Sequence, residues 1–213
     1  METELVIFDC DGVLVDSERI GNEVLAAVIT EQGWAVDVDD CIRLFQGGAM
    51  PDIWRTVSAH TGREVSQAVN DDFRKRQLAA LAAGVQAMPG IRDLLGDLTV
   101  PYCVASNAPH AKMHVTLGAT QLLSFFEGKM FSREDVPRPK PFPDLFLHAA
   151  GEMKALASRC VVVEDSPVGV RAAIAGGMRV VGYAGNSTAA TEALAGAGAQ
   201  RVLGELSELL TFL

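Results

Sequence analysis

Leu5-Val6-Ile7-Phe8-Asp9-Cys10-Asp11-Gly12-Val13-Leu14-Val15-Asp16-Ser17-Glu18 is the stretch on which the reading of this chain turns. Four apolar residues run into an acidic pair, then a glycine. A short, unbroken apolar run closed by a turn signal reads as a strand buried on both faces. Asp9 and Asp11 then stand at its carboxyl end, where open α/β sheets place their chemistry. Buried, charged and unpaired carboxylates are too costly, so something must compensate them. A divalent cation is the simplest choice. Gly12 tolerates positive φ and lets backbone N–H groups turn toward an anion. Two Asp residues after a strand can also merely shape a turn and cap a helix. The rest of the chain weighs against that.

From residue 16 to about 85 the sequence signals only helices. Ile20, Val24, Leu25, Val28 and Ile29 recur at helical spacing, and further helical stretches start near Asp37, at Pro51 and at Glu64. Gln46-Gly47-Gly48-Ala49-Met50-Pro51 reads as a loop. Strands then alternate with helices. The strands are Val100–Ala105, Lys129–Phe131, Cys160–Val163, Arg179–Tyr183 and Arg201–Leu203, and a helix over 205–212 closes the chain. This order predicts an α/β fold: a Rossmann-like, doubly wound parallel sheet with an all-helical insertion. The predicted domains are a core of 1–15 with 86–213 and a helical cap of 16–85. Hinges are expected near Val15–Ser17 and Ala83–Met88.

Composition narrows the function. The 213 residues are 49% hydrophobic, enough for a substantial core, and carry a net charge of −9. Arg74-Lys75-Arg76 is the densest basic cluster and reads as a solvated helix face, so nucleic acid is not an expected partner. No apolar run is long enough to cross a membrane. The four cysteines lack the spacing of a zinc site. Cys10 is flanked by carboxylates, which disfavour a thiolate. Met1-Glu2-Thr3-Glu4 is acidic and does not read as a signal peptide, so a cytoplasmic protein with reduced thiols is expected.

Three predicted strands end in polar groups: Asp9 and Asp11, Ser106 and Asn107, Glu164 and Asp165. Lys140 lies in a loop between them that also holds Pro137, Pro139, Pro141 and Pro143. Neighbouring parallel strands share a carboxyl edge, so these groups can converge. Taken singly, Ser106 would cap the helix over 109–117, Lys140 would be a solvated charge, and Glu164-Asp165 would cap the helix over 167–175. His110 and His114 are one helical turn apart with no third ligand in sight and read as a helix face.

Together these residues resemble the haloacid dehalogenase-like superfamily, in its subgroup of beta-phosphoglucomutases and sugar-phosphate phosphatases with a helical cap. The first motif is Asp9-Cys10-Asp11-Gly12-Val13-Leu14-Val15-Asp16-Ser17-Glu18. The second is Ser106-Asn107, the third Lys140 and the fourth Glu164-Asp165-Ser166. The resemblance implies that Asp9 is the nucleophile that accepts a phosphoryl group and that Asp11 is the general acid and base. It implies Mg²⁺ held by Asp9, the backbone carbonyl of Asp11, Asp165 and Glu164, the last directly or through water. Lys140, Ser106 and the backbone N–H groups at Asn107 would bind the phosphoryl oxygens, and Gly47 and Gly48 would help to set specificity.

Asp11 supplies the proton that an oxygen leaving group needs, so the expected substrate is a small-molecule phosphate ester. A phosphatase acting on a sugar, sugar-acid or polyol phosphate such as 6-phosphogluconate is expected, working as a monomer or weak dimer. Met50 stands three residues past Gly47, where a mutase of this family has Arg, and Gly21 stands near a mutase histidine; both weaken the mutase alternative. The stretch from Tyr102 to Asn107 with Lys112-Met113 looks like bacterial phosphatases of this family. A non-catalytic phosphosugar-binding module is the remaining alternative.

Overall fold

The computed structural model describes residues 2–45 and 48–213. Gly47, assigned above to substrate binding, lies outside the described residues. In chain order the elements are β1 (Leu5–Phe8), β2 (Val15–Asp16), α1 (Glu18–Glu31), α2 (Val38–Phe45), α3 (Met50–Thr61) and α4 (Gln67–Gly84). Next come β3 (Gln86–Ala87), α5 (Ile91–Asp97), β4 (Tyr102–Ser106), α6 (His110–Ala119), α7 (Leu123–Phe126) and β5 (Met130–Ser132). The chain ends with α8 (Asp144–Glu152), β6 (Cys160–Glu164), α9 (Pro167–Ala175), β7 (Arg179–Tyr183), α10 (Thr188–Gly196) and β8 (Arg201–Leu203). Two compact units result: Met1–Asp16 with Gln86–Leu213, and Ser17–Val85.

In the first unit six strands form one sheet in the order β5-β4-β1-β6-β7-β8, every pair parallel. All four β1 side chains are fully buried, which is why the opening run is apolar without alternation. The sheet grows away from β1 in both directions, through β4 on one side and β6 on the other. Ligands of open α/β sheets bind at such a reversal of strand order, outside the carboxyl ends. One core layer joins Leu5, Ile7, Cys103, Ala105 and Val162 of the sheet to Phe146 of α8 and Val170 of α9.

The second unit is helical. Leu25, Val28 and Ile29 of α1 pack with Cys41 and Phe45 of α2, Trp54 and Val57 of α3 and Phe73 of α4. The Trp54 indole N–H donates to Asn70 Oδ1 at 2.9 Å, which satisfies both buried groups. Gly48 lies between α2 and α3, and its N–H donates to the Phe45 carbonyl at 2.9 Å, closing α2.

Some local expectations change. The closing segment is a 3₁₀ helix over Leu206–Thr211, not an α-helix. An antiparallel ribbon pairs Val15 with Ala87 and Asp16 with Gln86. Two-residue strands are too short to show an alternation, and α7, with four residues, too short to show a helical period. Ser106 and Glu164 are the last residues of β4 and β6 rather than the first residues beyond them.

Candidate active site

The strand order sets Asp9 and Glu164 side by side. Phe8 pairs with Val163, and the Asp9 N–H still donates to the Val163 carbonyl at 2.9 Å, so the ladder continues one residue past β1. Lys140 bridges the two acids. Its Nζ donates at 2.6 Å to Asp9 Oδ1 and at 2.6 Å to Glu164 Oε1. Asp9, Lys140 and Glu164 are all buried. Burial alone would lower the Lys140 ammonium; Asp9 and then Glu164 more than offset this and hold it above its ordinary value. Burial, against the pull of Lys140 and with the push of Glu164, drives the Asp9 carboxyl up to about 7. Burial and then the charge of Glu164 push Asp165 well above the usual carboxylate range.

The loop that carries Lys140 is fixed by Asn107. The Lys140 N–H donates to Asn107 Oδ1 at 3.0 Å, and Asn107 Nδ2 donates back to the Lys140 carbonyl at 3.1 Å. The Asn107 side chain is thus spent on the loop. Ser106 is buried, and its Oγ accepts from the Ala108 N–H at 3.1 Å, a local turn rather than a cap on α6. Glu164 Oε2 accepts from the Ser166 N–H at 3.1 Å and hydroxyl at 2.8 Å, while Ser166 Oγ caps α9 by accepting from the Gly169 N–H at 3.1 Å.

Two glycines make room for these carboxylates. A Cβ on Gly169 would lie 1.8 Å from Glu164 Oε1. A Cβ on Gly12, whose φ is +80°, would lie 1.9 Å from Asp165 Oδ2.

Asp9, Glu164 and Asp165 offer oxygens that all lie within 4.8 Å of one another. This all-oxygen donor set suits a hard divalent ion such as Mg²⁺. The charge balance agrees. Lys140 pairs with two of these acids and Lys112 with Asp11; fully ionised, the four carboxyls would outnumber the two ammonium groups, a surplus that a cation would offset. The Asp11 side chain stands outside the trio, with Oδ2 accepting from Lys112 Nζ at 2.8 Å.

Sequence reasoning did not find the roles of Lys112, Gly169 or the Asn107 amide. Gly169 left a trace: a glycine in the first turn of a helix, where most residues serve better, suggests a close approach. Lys112 left none beyond the family resemblance. The four cysteines are free and buried. Burial, then the charges of Asp11 and Asp9, pushes the Cys10 thiol well up, against a nucleophilic role. His110 Nε2 lies 2.9 Å from both oxygens of Asp135, and His114 Nδ1 bonds the His110 carbonyl at 2.9 Å; the two do not form a metal pair.

Residues 3–177 match the family model of haloacid dehalogenase-like hydrolases. The chain belongs to that family. The 6-phosphogluconate phosphatase of Escherichia coli (strain K12) is 35% identical to this hydrolase over 178 residues, covering 83% of this chain and 80% of that protein. A validoxylamine A 7′-phosphate phosphatase of Streptomyces hygroscopicus subsp. limoneus is 30% identical, covering 90% of each chain. A conserved haloacid dehalogenase-like protein of unknown function from Agrobacterium tumefaciens superposes with a TM-score of 0.87 at 34% identity, over 99% of this chain and 97% of that one. Among the described residues of this hydrolase no helix is long and apolar enough to cross a membrane.

Proposed function

We propose that this hydrolase cleaves a phosphate monoester of a small polyhydroxy metabolite, a sugar, sugar-acid or polyol phosphate, and that Asp9 carries the phosphoryl group between two half-reactions. The observation that carries the reading is the buried Lys140 ammonium set between Asp9 and Glu164 at 2.6 Å from each, with Asp165 completing an oxygen trio. The named activity of the Escherichia coli relative supports the substrate class.

A carboxylate oxygen of Asp9 attacks phosphorus in line, and the bond from phosphorus to the ester oxygen breaks. Asp11 gives the departing alkoxide its proton. Water then attacks the phosphorylated Asp9, Asp11 takes a proton from it, the bond from phosphorus to Asp9 breaks, and inorganic phosphate leaves. Lys140 sets its positive charge against the phosphoryl oxygens. The Ser106 hydroxyl, whose oxygen already accepts from the Ala108 N–H, donates its hydrogen to another of them, beside the backbone N–H groups at Asn107. Asp9, the Asp11 carbonyl, Asp165 and Glu164 would hold Mg²⁺, which when bound screens the repulsion between the attacking carboxylate and the phosphate dianion.

Phosphate release should be followed over sugar, sugar-acid, polyol and glycolate phosphates, with Mg²⁺ and with chelator, alongside isomerisation of β-glucose 1-phosphate. Hydrolysis of sugar-type esters that stops in chelator is expected. Isomerisation faster than hydrolysis identifies a mutase and overturns the reading.

The metal-free protein has a predicted pH signature. Folded Asp9 keeps its proton up to about 7, whereas the unfolded chain releases it near 3.8. The folded state therefore binds more protons between these values, and stability falls as pH rises through that window. Melting temperatures in chelator should drop from pH 4 to pH 7, less so in Asp9→Asn, and Mg²⁺ should restore most of the loss at pH 7. A metal-free profile identical in the wild type and Asp9→Asn removes Asp9 as its source.

A further inference from the structure

We propose that Lys112 is the positioning residue for Asp11, fixing the direction in which its carboxylate exchanges protons with the leaving group and with water. This rests on the reading of Asp11 as the general acid and base. The turn after β1 fixes the backbone of Asp11: the Gly12 N–H donates to the Val15 carbonyl and the Leu14 N–H to the Cys10 carbonyl, each at 2.9 Å. The Asp11 side chain is 32% exposed. Lys112 Nζ meets its Oδ2 at 2.8 Å.

The lysine is itself anchored. It lies on α6, one turn before Thr116, and these two residues reach consecutive parts of the acidic loop: Lys112 meets Asp11, and Thr116 Oγ1 lies 3.9 Å from Cys10 Sγ. Met113, between them, is fully buried. The start of α6 is tied down by Glu134 Oε2, which accepts from the His110 N–H at 3.0 Å, and by Asp135 against the His110 ring. The Lys112 side chain is only 20% exposed, so this pair differs from the solvated surface pairs that contribute little. Burial alone would lower its ammonium, and Asp11 more than offsets this. An acid that must face an ester oxygen and then a water needs such a restraint, because a displacement of ~1 Å can cost ~100-fold in rate.

Leaving groups provide the test. An alkoxide needs the proton of Asp11, whereas p-nitrophenolate leaves without one. Lys112→Met and Lys112→Arg should be compared with wild type and with Asp11→Asn. The substrates are the best sugar phosphate of the panel, at steady state, and p-nitrophenyl phosphate, in a single turnover. Lys112→Met should lower kcat on the sugar phosphate by ~10- to 100-fold with KM nearly unchanged, move the p-nitrophenolate burst by less than about 3-fold, and be largely rescued by Lys112→Arg. An equal loss on both substrates marks a structural role and overturns the proposal. A rise in KM alone marks Lys112 as a substrate contact and overturns it too. If Lys112→Met unfolds, Lys112→Gln, which stays polar but loses the reach and the charge of the lysine, must show the same split between substrates. Asp11→Asn separates the two layers: should it treat both leaving groups alike, the reading of Asp11 fails, whereas discrimination by Asp11→Asn but not by Lys112→Met defeats only the proposal for Lys112.

Discussion

Asp9→Asn should abolish turnover, with kcat lowered by about 10⁴-fold or more, while the protein stays folded. The amide fills the same space and keeps an oxygen that can accept from Lys140 Nζ, which retains Glu164 as its second partner. A neutral group at this buried position also removes a charge that burial disfavours. What disappears is the carboxylate proposed as the nucleophile. Lys140, Ser106 and the other carboxylates remain, so substrate should still bind, and the variant becomes a means to measure affinity without turnover. Acid-quenched wild-type enzyme should retain phosphate covalently on residue 9, and Asp9→Asn should retain none. Purified Asp9→Asn that keeps more than about a hundredth of wild-type activity means that the phosphoryl group travels another way, by direct attack of water or through a different side chain.

The fold was legible because its signals are cumulative. A strand buried on both faces must be apolar throughout, and the runs at Leu5–Phe8 and Cys160–Val163 meet that demand without ambiguity. Acidic residues directly after such runs are costly anywhere but a site, so Asp9, Glu164 and Asp165 declared themselves. Lys140 was placed near the site by its loop, but its role was legible only through the family resemblance, because a lysine among prolines looks like any surface loop. The contacts of Lys112 and Asn107 were illegible for a physical reason: each joins residues distant in the chain, Asp11 to Lys112 and Asn107 to Lys140, and no local period encodes such pairings. The β2–β3 ribbon was missed on the same ground, since its two strands are held by their pairing rather than by their composition.

Gly169→Ala sets two physical effects of opposite sign against each other. Gly169 lies in the first turns of α9 with an ordinary helical backbone, so propensity alone would make alanine stabilising by about 0.5–1 kcal/mol. Sterics oppose this, because the new Cβ would sit 1.8 Å from Glu164 Oε1 and 1.9 Å from its carboxyl carbon. Glu164 has little freedom to give way: it is 1% exposed, its Oε1 is tied to Lys140 and its Oε2 to Ser166. Overpacking costs about 1–3 kcal/mol, and pulling a partner off a buried ammonium costs more, so the clash wins and a net loss of roughly 2–4 kcal/mol is expected in urea unfolding. The displaced carboxylate also leaves the oxygen trio, and kcat/KM should fall about 100-fold with weaker Mg²⁺ binding by titration. Gly118→Ala on α6 is the matched control, since a Cβ there meets nothing within 4 Å and should stabilise by about the propensity difference. Adding Glu164→Asp should recover part of the stability lost in Gly169→Ala, because the shorter acid withdraws from the new methyl group, and the double-mutant cycle measures that coupling. Gly12→Ala should cost more still, because its Cβ would meet Asp165 Oδ2 at 1.9 Å and its φ of +80° is also strained for alanine. A Gly169→Ala protein as stable as Gly118→Ala, with Mg²⁺ affinity intact, means that Glu164 does not occupy the space this glycine leaves open.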